Sequence, residues 1–270
     1  MVEVSVILPA YNCSAYLAEA VQSVLRQTFS NFELLLINDG STDNTAFVIK
    51  SFSDERIVAL DNNGNKGLIY TLNRGIREAR GKYIARMDAD DICLPQRLEL
   101  QYNHLERHPG IAVVGSFYSV IDEDGKECGF YAPDREANTP ANIRKMMPRE
   151  NCIAHPSVMM RKEVAAAFMY APYQKNIEDY DLWLRMLSRG KQLDKINEVL
   201  LRYRVHGASV TKQHLQKKNP FFKMLGCKKR FLLHQLKQFS FGTFELAVAA
   251  YAIRDLMIGT GKELKKKLSR

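Results

Sequence analysis

The sequence predicts an α/β fold in which a mostly parallel sheet is flanked by helices and followed by a basic helical extension. Through the first 120 residues, short apolar runs alternate with segments of helical periodicity, a pattern typical of parallel sheets with right-handed crossovers. Polar loops follow the strand-like runs, at the edge of such a sheet where ligands bind. From Pro220 onward the pattern becomes amphipathic and basic.

Short apolar runs bounded by turn residues predict the strands of the first half. These strands are expected at residues 4–8, 32–37, 56–60, 82–87 and 111–115. Because helical segments separate them, neighbouring strands are expected to run parallel.

Helical periodicity fills the intervals between these strands. The first helix is expected to have Ser14 as its N-cap, and the second to follow residues 41–43. The third covers residues 67–79, and the fourth starts at Leu94-Pro95, since proline is favoured in a first helical turn.

The second half has a looser pattern. Residues 122–125 predict a hairpin turn, and residues 132–148 predict an irregular segment. Further strands are expected at residues 158–160 and 198–203, with a helix over residues 179–187.

The composition is that of a folded domain with an appendage. Apolar residues make up 46% and charged residues 26% of the chain, which excludes disordered and collagen-like proteins. The excess of 39 Lys and Arg over 30 Asp and Glu is uneven, because residues 201–270 contain 16 basic and 3 acidic side chains. We therefore expect a main domain over residues 1–215 and a basic amphipathic extension over residues 216–270.

Three features bear on the cellular compartment. The five scattered cysteines include no Cys-x-x-Cys pair, which favours free thiols in a reducing compartment. The first residues lack the basic and apolar regions of a signal peptide, and no apolar stretch reaches the length of about 18 residues that a membrane span needs. We expect a cytoplasmic protein, with peripheral attachment to the inner membrane left open.

Polar residues that packing does not require follow the first three strands. The first loop is a stiff turn with an aromatic ring and an amide, formed by Pro9, Ala10, Tyr11 and Asn12. In the second loop, residues 38–43, Asp39 is suited to accept hydrogen bonds from a base or a ribose. The third loop, residues 62–67, has glycines that allow close backbone approach and Lys66 for a phosphate. Each loop alone fits an ordinary turn, but together they indicate a ligand site.

Three carboxylates follow the fourth strand in the segment Asp88-Ala89-Asp90-Asp91. Like charges this close repel each other unless a cation neutralises them, and an all-oxygen site suits Mg²⁺ or Mn²⁺. The alternative, an acidic turn that caps the next helix, accounts for Asp91 but hardly for all three. The segment therefore predicts a divalent metal site.

In their order and spacing, these loops resemble the inverting glycosyltransferases of family 2, which have the GT-A fold. The first-half motifs are Pro9-Ala-Tyr-Asn12, Asn38-Asp-Gly-Ser-Thr-Asp43, Asn65-Lys66-Gly67 and Asp88-Ala89-Asp90. The later motifs are His155-Pro-Ser157, Glu178-Asp-Tyr-Asp-Leu-Trp183 and Tyr203-Arg-x-His206. The resemblance covers roughly residues 3–210.

The resemblance implies a donor site for a nucleotide sugar, most simply a UDP-sugar. It implies that Asp39 reads the uracil and that the loop of residues 9–12 packs on the nucleoside. Asp88 and Asp90 are implied to hold the diphosphate through Mn²⁺ or Mg²⁺, with His206 completing the metal shell. Residues 1–115 would then form the nucleotide-sugar-binding part and residues 116–215 the acceptor part.

The resemblance also implies that Asp179 is the general base. Asp181 is the alternative base, and helix capping is the alternative role for Asp179. The cation that meets the diphosphate is either Lys66 or Arg74. His155 either lines the acceptor side or orients a turn.

The expected function is metal-dependent, inverting transfer of a hexose or N-acetylhexosamine. The acceptor would be a growing cell-surface polysaccharide or a lipid-linked glycan. One alternative is a sugar-phosphate nucleotidyltransferase, which needs a Gly-rich basic loop after the first strand. The other is a non-catalytic scaffold that keeps the nucleotide pocket.

The basic extension predicts a helix on an anionic membrane surface, because aromatic and aliphatic residues are interleaved with lysines. The apolar residues are Phe221, Phe222, Phe231, Leu232, Leu233 and Phe241. The alternative is that these helices pack on the main domain and expose only their lysines. Nucleic-acid binding is not expected, since the sequence contains no recognition module.

Overall fold

A mixed β-sheet forms the centre of the computed structural model, which describes residues 2–174, 176–207, 219–238 and 241–268. Its nine strands in those residues are β1 (Val4–Ala10), β2 (Phe32–Asn38), β3 (Ile57–Asp61), β4 (Tyr83–Arg86), β5 (Ile92–Cys93), β6 (Ile111–Ile121), β7 (Glu127–Gly129), β8 (Met159–Arg161) and β9 (Gln192–Arg204). Their order is β3-β2-β1-β4-β8-β6-β9-β5, with β7 paired to β6.

The parallel half of the sheet confirms the strands expected in the first 90 residues. β1 lies between β2 and β4 and runs parallel to both, and β3 adds to β2 in the same direction. Because parallel strands end at the same edge of a sheet, the loops after β1 to β4 meet there.

Beyond β4 the sheet becomes mixed. The short β8 lies antiparallel to both β4 and β6, whereas β6 and β9 run parallel to each other. β6 has 11 residues and β9 has 13, so both are longer than their apolar runs indicate. The reason is clearest in β9, where buried and exposed residues are mixed along the strand and leave no continuous apolar run.

Helices cover both faces of the sheet. They are α1 (Ser14–Leu25), α2 (Thr45–Lys50), α3 (Leu68–Glu78), α4 (Arg97–Arg107), α5 (Ala132–Glu136), α6 (Pro140–Met146), α7 (Lys162–Phe168), α8 (Glu178–Ser188), α9 (Pro220–Lys237) and α10 (Thr243–Leu268). Alternate residues of β1 enter two separate buried clusters, with Val6 and Leu8 facing α1 and α4, and Ile7 facing α3.

Three local expectations about the helices were wrong. α4 begins at Arg97, with Gln96 as its N-cap, and not at Leu94-Pro95. Ser14 is the first residue of α1 and not its N-cap, which is Cys13. The N–H of Ser14 instead donates to Asp43 Oδ2 at 3.1 Å, a cap supplied by the next loop. Residues 132–148 are not irregular, because they form α5 and α6, each with a proline in its first turn.

The two C-terminal helices pack on α8 and extend the main core. Their inward side chains join the buried cluster that contains Trp183, and these are Cys227, Phe231, Phe244 and Val248. Lys228 and Asp255 are fully buried between the helices, with Nζ 2.6 Å from Oδ2. Lys228 also donates to the carbonyl oxygen of Arg149 at 3.1 Å. The inner faces of the extension therefore pack on the domain, and at least one of its lysines is buried.

The outer face of α10 is apolar. Leu246, Ile253 and Met257 are 60%, 62% and 68% exposed, so the extension exposes more than its lysines. None of the described helices combines the length and the apolar composition needed to cross a membrane. The boundary expected between residues 215 and 216 lies outside the described residues.

Candidate active site

The loops singled out in the sequence lie at one edge of the sheet. They follow β1 to β4 and comprise residues 9–12, 38–43, 62–67 and 88–91. Pro9 and Ala10 are the last residues of β1 and not part of a turn. Ala89 is 8% exposed and lies in the apolar cluster below the fourth loop.

Hydrogen bonds join the first two loops. The N–H of Thr42 donates to Asn12 Oδ1 at 2.8 Å, and the N–H of Asn12 donates to Ser41 Oγ at 3.1 Å. Asn12 has a φ of 48°, in the left-handed region that asparagine tolerates. Tyr11 is 48% exposed, so its ring is available to stack on a flat ligand.

Asp39 is 4% exposed and organises the third loop. Its Oδ1 accepts hydrogen bonds from the Lys66 N–H at 2.9 Å and from Asn62 Nδ2 at 2.8 Å. Its Oδ2 accepts from the Gly67 N–H at 2.8 Å. A carboxylate has about four acceptor positions, so one position on Oδ2 is left for a ligand.

Gly40 lets the second and third loops touch. It has a φ of +69°, and a Cβ at this position would lie 2.3 Å from the carbonyl carbon of Gly64 and 2.5 Å from the nitrogen of Asn65. On the other side of this turn, hydrogen bonds from Thr45 and Ser14 outweigh the effect of burial and lower the pKa of Asp43 to about 2. The second loop is therefore fixed at both ends before any ligand binds.

Two basic side chains near the third loop differ in their contacts. Arg74 Nη1 donates to the carbonyl oxygen of Asp61 at 2.6 Å and to Asn62 Oδ1 at 2.8 Å. The Lys66 ammonium is exposed and has no hydrogen bond or ion pair among the described residues. Arg74 thus supports the loop, and Lys66 is the cation available to a ligand.

The acidic segment after β4 is a compact cluster. Asp88, Asp90 and Asp91 each place one carboxylate oxygen within 4.8 Å of the others. His206 Nε2 lies 3.0 Å from Asp90 Oδ2, and Arg86 forms an ion pair with Asp88. The three side chains expected to bind a metal, Asp88, Asp90 and His206, therefore come together.

Asp91 belongs to this cluster and does not cap a helix, since α4 begins only at Arg97. It is 1% exposed, and its Oδ1 accepts from the Arg204 N–H at 2.8 Å. Its Oδ2 is buried without a hydrogen-bond donor among the described residues. Burial, followed by the charges of Asp88 and Asp90, raises the pKa of Asp91. A buried oxygen without a donor, beside two carboxylates, fits a Mg²⁺ or Mn²⁺ ion.

Arg204 also supports the cluster, although the sequence reasoning missed it. Its Nε donates to the Asp90 carbonyl oxygen at 2.8 Å, and its guanidinium lies 4.8 Å from the centre of the Tyr16 ring. It also forms an ion pair with Glu19. Its position in the segment Tyr203-Arg-x-His206 was the available signal.

Asp179 lies in the first turn of α8 and faces the same site. Burial, followed by the charges of Asp90 and Asp179, raises the pKa of Asp88, which places Asp179 within electrostatic range of the cluster. Asn151 Nδ2 donates to Asp179 Oδ2 at 2.7 Å, a contact that no sequence pattern predicts. Burial, followed by the charge of Asp179, raises the pKa of Glu178 to about 7.

Two other residues have mainly structural contacts. Asp181 is 1% exposed, and its carboxylate binds Gln174 Nε2 at 2.9 Å and Arg185 Nε at 2.7 Å. His155 is buried against the Tyr170 hydroxyl at 2.7 Å, and burial lowers its pKa well below the usual range. Of the two carboxylates considered as base, only Asp179 is left without an ion pair.

Comparisons with known proteins agree with this arrangement. The family model described as glycosyl transferase family 2 matches residues 5–168. The O-antigen biosynthesis glycosyltransferase WbnJ of Escherichia coli is 33% identical over 216 residues, which are 78% of this chain and 83% of WbnJ. The UDP-Glc:alpha-D-GlcNAc-diphosphoundecaprenol beta-1,3-glucosyltransferase WfaP of Escherichia coli is 32% identical over 208 residues, which are 77% of this chain and 79% of WfaP.

The fold also resembles a solved structure. S. aureus TarS 1–349, crystallised in complex with UDP, matches with a TM-score of 0.70 over 94% of this chain and 70% of that chain. At 16% sequence identity, this likeness shows a shared fold. It confirms the expected GT-A type of α/β architecture.

Proposed function

Because the chain belongs to glycosyl transferase family 2, we propose that it transfers a hexose or N-acetylhexosamine from a UDP-sugar to a lipid-linked or surface glycan. Family membership makes it a glycosyltransferase of glycan biosynthesis, so the nucleotidyltransferase and scaffold alternatives lose their support. The observation that carries the finer proposal is the meeting of Asp39, the acidic cluster and Asp179 at one edge of the sheet.

Three features support UDP as the nucleotide. The exposed ring of Tyr11 offers a stacking surface for the uracil, and the open acceptor position of Asp39 suits an N–H of the base. Lys66 supplies the unpaired cation for the diphosphate. WfaP, by its name, uses UDP-Glc, and TarS was crystallised with UDP.

The acidic cluster fits the leaving group. As the bond between the sugar C1 and the diphosphate oxygen breaks, negative charge builds on the diphosphate. Asp88, Asp90 and His206 would hold a divalent ion, which acts as a Lewis acid that stabilises this charge. The unpartnered Oδ2 of Asp91 supports a fourth protein ligand.

Asp179 supplies the base. The acceptor hydroxyl attacks C1 from the face opposite the diphosphate, forms the new C1–O bond and gives its proton to the Asp179 carboxylate, while UDP departs. This displacement inverts the configuration at C1. Asn151 Nδ2 and the backbone N–H of Tyr180 donate to the Asp179 carboxylate, and its about four acceptor positions leave room for the proton.

Thermal-shift binding of UDP, GDP, CDP and ADP, with and without Mn²⁺, tests the donor site. A ligand that binds only the folded state raises the melting temperature by mass action. We expect a UDP-specific shift that needs Mn²⁺ and is lost in Asp90→Ala. Asp124→Ala, which removes an exposed carboxylate from the hairpin turn of residues 122–125, is the matched control and should keep the shift.

Three results would count against the proposal. If UDP with Mn²⁺ raised the melting temperature of Asp90→Ala as much as that of the wild type, Asp90 would not hold a metal in the donor site. If Asp179→Asn released UDP from a donor sugar at the wild-type rate, Asp179 would not be the base. No shift with any nucleotide would reject the donor site altogether.

A membrane surface is the proposed location of the acceptor. The outer face of α10 exposes Leu246, Ile253 and Met257, and its sequence continues into the basic run 262–267. Apolar residues beside lysines suit an anionic lipid surface. The full chain should sediment with vesicles containing phosphatidylglycerol at low salt, and Ile253→Glu should release it. If the same fraction of the protein sedimented with purely zwitterionic vesicles, an anionic membrane surface would be rejected as the location.

A further inference from the structure

Arg86 carries a buried guanidinium whose hydrogen-bonding capacity the protein itself does not use. It is the last residue of β4 and is only 3% exposed. Its Nη1 forms the ion pair with Asp88, yet neither Nη1 nor Nε reaches an acceptor with hydrogen-bond geometry. Nη2 also makes no hydrogen bond among the described residues, and it is not one of the enclosed nitrogens. Because buried donors without acceptors are costly, these N–H groups point to a partner from outside the fold.

Arg97 shows how a structural arginine is held in the same part of the fold. It is 1% exposed, and its Nε donates to Gln101 Oε1 at 3.1 Å. Its Nη2 donates to the carbonyl oxygens of Arg86 and Val158 at 2.7 and 3.2 Å. Its Nη1 contacts the sulfur of Met87 at 3.5 Å. Every guanidinium nitrogen of Arg97 therefore has a partner within the protein, which is not true of its neighbour Arg86.

The guanidinium of Arg86 lies between the acidic cluster and the first turn of α8. On one side it pairs with Asp88. On the other side are Asp179 and Glu178, since burial raises the pKa values of these two carboxyl groups and the charge of Arg86 is among the effects that lower them. The sugar that is transferred must lie between the diphosphate and the base. Arg86 is therefore next to the bond that breaks.

An anion is the partner that this position favours. Asp88 cannot serve both a divalent ion and Arg86 without bringing two cations near each other, and an anion between them relieves the repulsion. Phosphate oxygens suit a guanidinium, whose planar N–H groups can donate to two of them at once. Lys66 belongs to the loop that contacts Asp39 at the nucleoside end. The phosphate nearest the sugar is therefore left to Arg86.

We propose that Arg86 binds the β-phosphate of the UDP-sugar and stabilises the negative charge that this phosphate gains as it leaves. The inference rests on the proposed function, because it takes the nucleotide site and the base from it. When the acceptor oxygen bonds to C1, the electron pair of the breaking C1–O bond goes to the β-phosphate oxygen. The N–H groups of Arg86 donate to this phosphate in addition to the metal. Such a donor binds the transition state more strongly than the ground state, because the charge on the phosphate increases.

Isothermal titration calorimetry with UDP and UMP tests this contact on the full chain, because the two probes differ only in the β-phosphate. All titrations contain saturating Mn²⁺. We expect Arg86→Met to weaken UDP by about tenfold or more and to leave the affinity for UMP unchanged. Arg86→Lys should weaken UDP by about threefold, since it keeps the charge and loses the planar fork. Arg107→Met is the matched control, because Arg107 is an exposed arginine at the end of α4.

Three further measurements separate phosphate binding from metal binding and from folding. The loss of UDP affinity in Arg86→Met should persist when the Mn²⁺ concentration is raised about tenfold, because it does not come from a weakened metal site. The kcat for UDP release should fall by about 100-fold in this variant. Melting temperatures show whether the variants are folded. If Arg86→Met is unfolded, the comparison of UDP with UMP rests on Arg86→Lys, which keeps the buried charge.

The proposal fails if folded Arg86 variants keep the wild-type ratio of UDP to UMP affinity, or if both nucleotides weaken equally. Recovery of UDP affinity at high Mn²⁺ would mean that Arg86 only holds Asp88, and it would also overturn the proposal. So would a loss confined to UDP-glucose and UDP-N-acetylglucosamine, which would assign Arg86 to the sugar.

The wild type separates this inference from the proposed function. If the wild type binds neither UDP nor UMP in the presence of Mn²⁺, the donor site itself is rejected. If the wild type binds UDP more tightly than UMP and Arg86→Met keeps that preference, only the role of Arg86 is rejected.

Discussion

Asn151→Ala tests the assignment of the base, because Asn151 contacts Asp179 through a single hydrogen bond of 2.7 Å. A hydrogen bond to a charged group contributes about 1.5–3 kcal/mol, and one pKa unit corresponds to about 1.4 kcal/mol. Removing this donor should therefore raise the pKa of Asp179 by about one to two units. Asp179 is partly exposed, and solvent screening favours the lower value, about one unit.

The sign of the effect on activity follows from the role of the base. Asp179 accepts a proton only when it is ionised, so activity rises as the pH rises through its pKa. Burial already raises this pKa above the usual aspartate value, and the Asn151 hydrogen bond lowers it. The acidic limb of the pH profile should consequently move upward by about one unit in Asn151→Ala, and further in Asn151→Asp, which adds a like charge.

The assay is the initial rate of UDP release between pH 5.5 and 9, with the donor sugar identified by screening. Asn142→Ala is the matched control, because the Asn142 side chain contacts Asn138 on the exposed surface of α6. Its profile should coincide with that of the wild type. An acidic limb that stays in place in Asn151→Ala, with the rate unchanged, would refute the reasoning.

Three further variants probe the supporting structure. Asp91→Asn removes a buried carboxylate whose pKa is raised, so that its ionisation destabilises the fold as the pH rises above the usual aspartate pKa. The metal-free variant should therefore melt about 2–4 °C higher than the metal-free wild type at pH 8. An unchanged or lower melting temperature contradicts this. Gly40→Ala requires a Cβ 2.3 Å from Gly64 at a positive φ, and calorimetry should show nucleotide affinity reduced at least about tenfold; wild-type affinity would show that the loops move apart freely. Lys228→Met leaves the buried Asp255 carboxylate with the Arg254 guanidinium as its remaining cation among the described residues, and urea unfolding should show a loss of about 1.5–3 kcal/mol, partly recovered by Lys228→Met with Asp255→Leu; a cost below about 0.5 kcal/mol would mean that Arg254 alone neutralises Asp255.

The parallel half of the sheet and its loops could be predicted because their causes are local. β1 to β4 are short apolar runs that each end in a polar loop, and the direction of the strands follows from the helices between them. Once the strands are parallel, their loops must meet at one edge. Asp39 and the acidic segment 88–91 were therefore found without any knowledge of distant contacts.

The parts that were missed depend on contacts between distant residues. Asn151 reaches Asp179 across 28 positions, and Arg204 N reaches Asp91 across 113. No periodicity in a window of ten or twenty residues contains this information. The helices in residues 132–148 were missed because each is only a turn or two long, and their prolines suggested a loop although proline is also favoured in a first helical turn.

The buried pair of Lys228 and Asp255 joins α9 to α10, and we expect the hairpin of these two helices to unfold cooperatively with the segment that holds Asp179, the proposed base. Lys228 and Arg254 both donate to the Arg149 carbonyl oxygen, two residues before Asn151. Opening of the hairpin would therefore free the segment that positions Asp179. In native-state hydrogen exchange, the amides of α9, α10 and the first turn of α8 should open together with one free energy. Deleting the extension would thus loosen Asp179, the proposed base, as well as remove the proposed membrane contact.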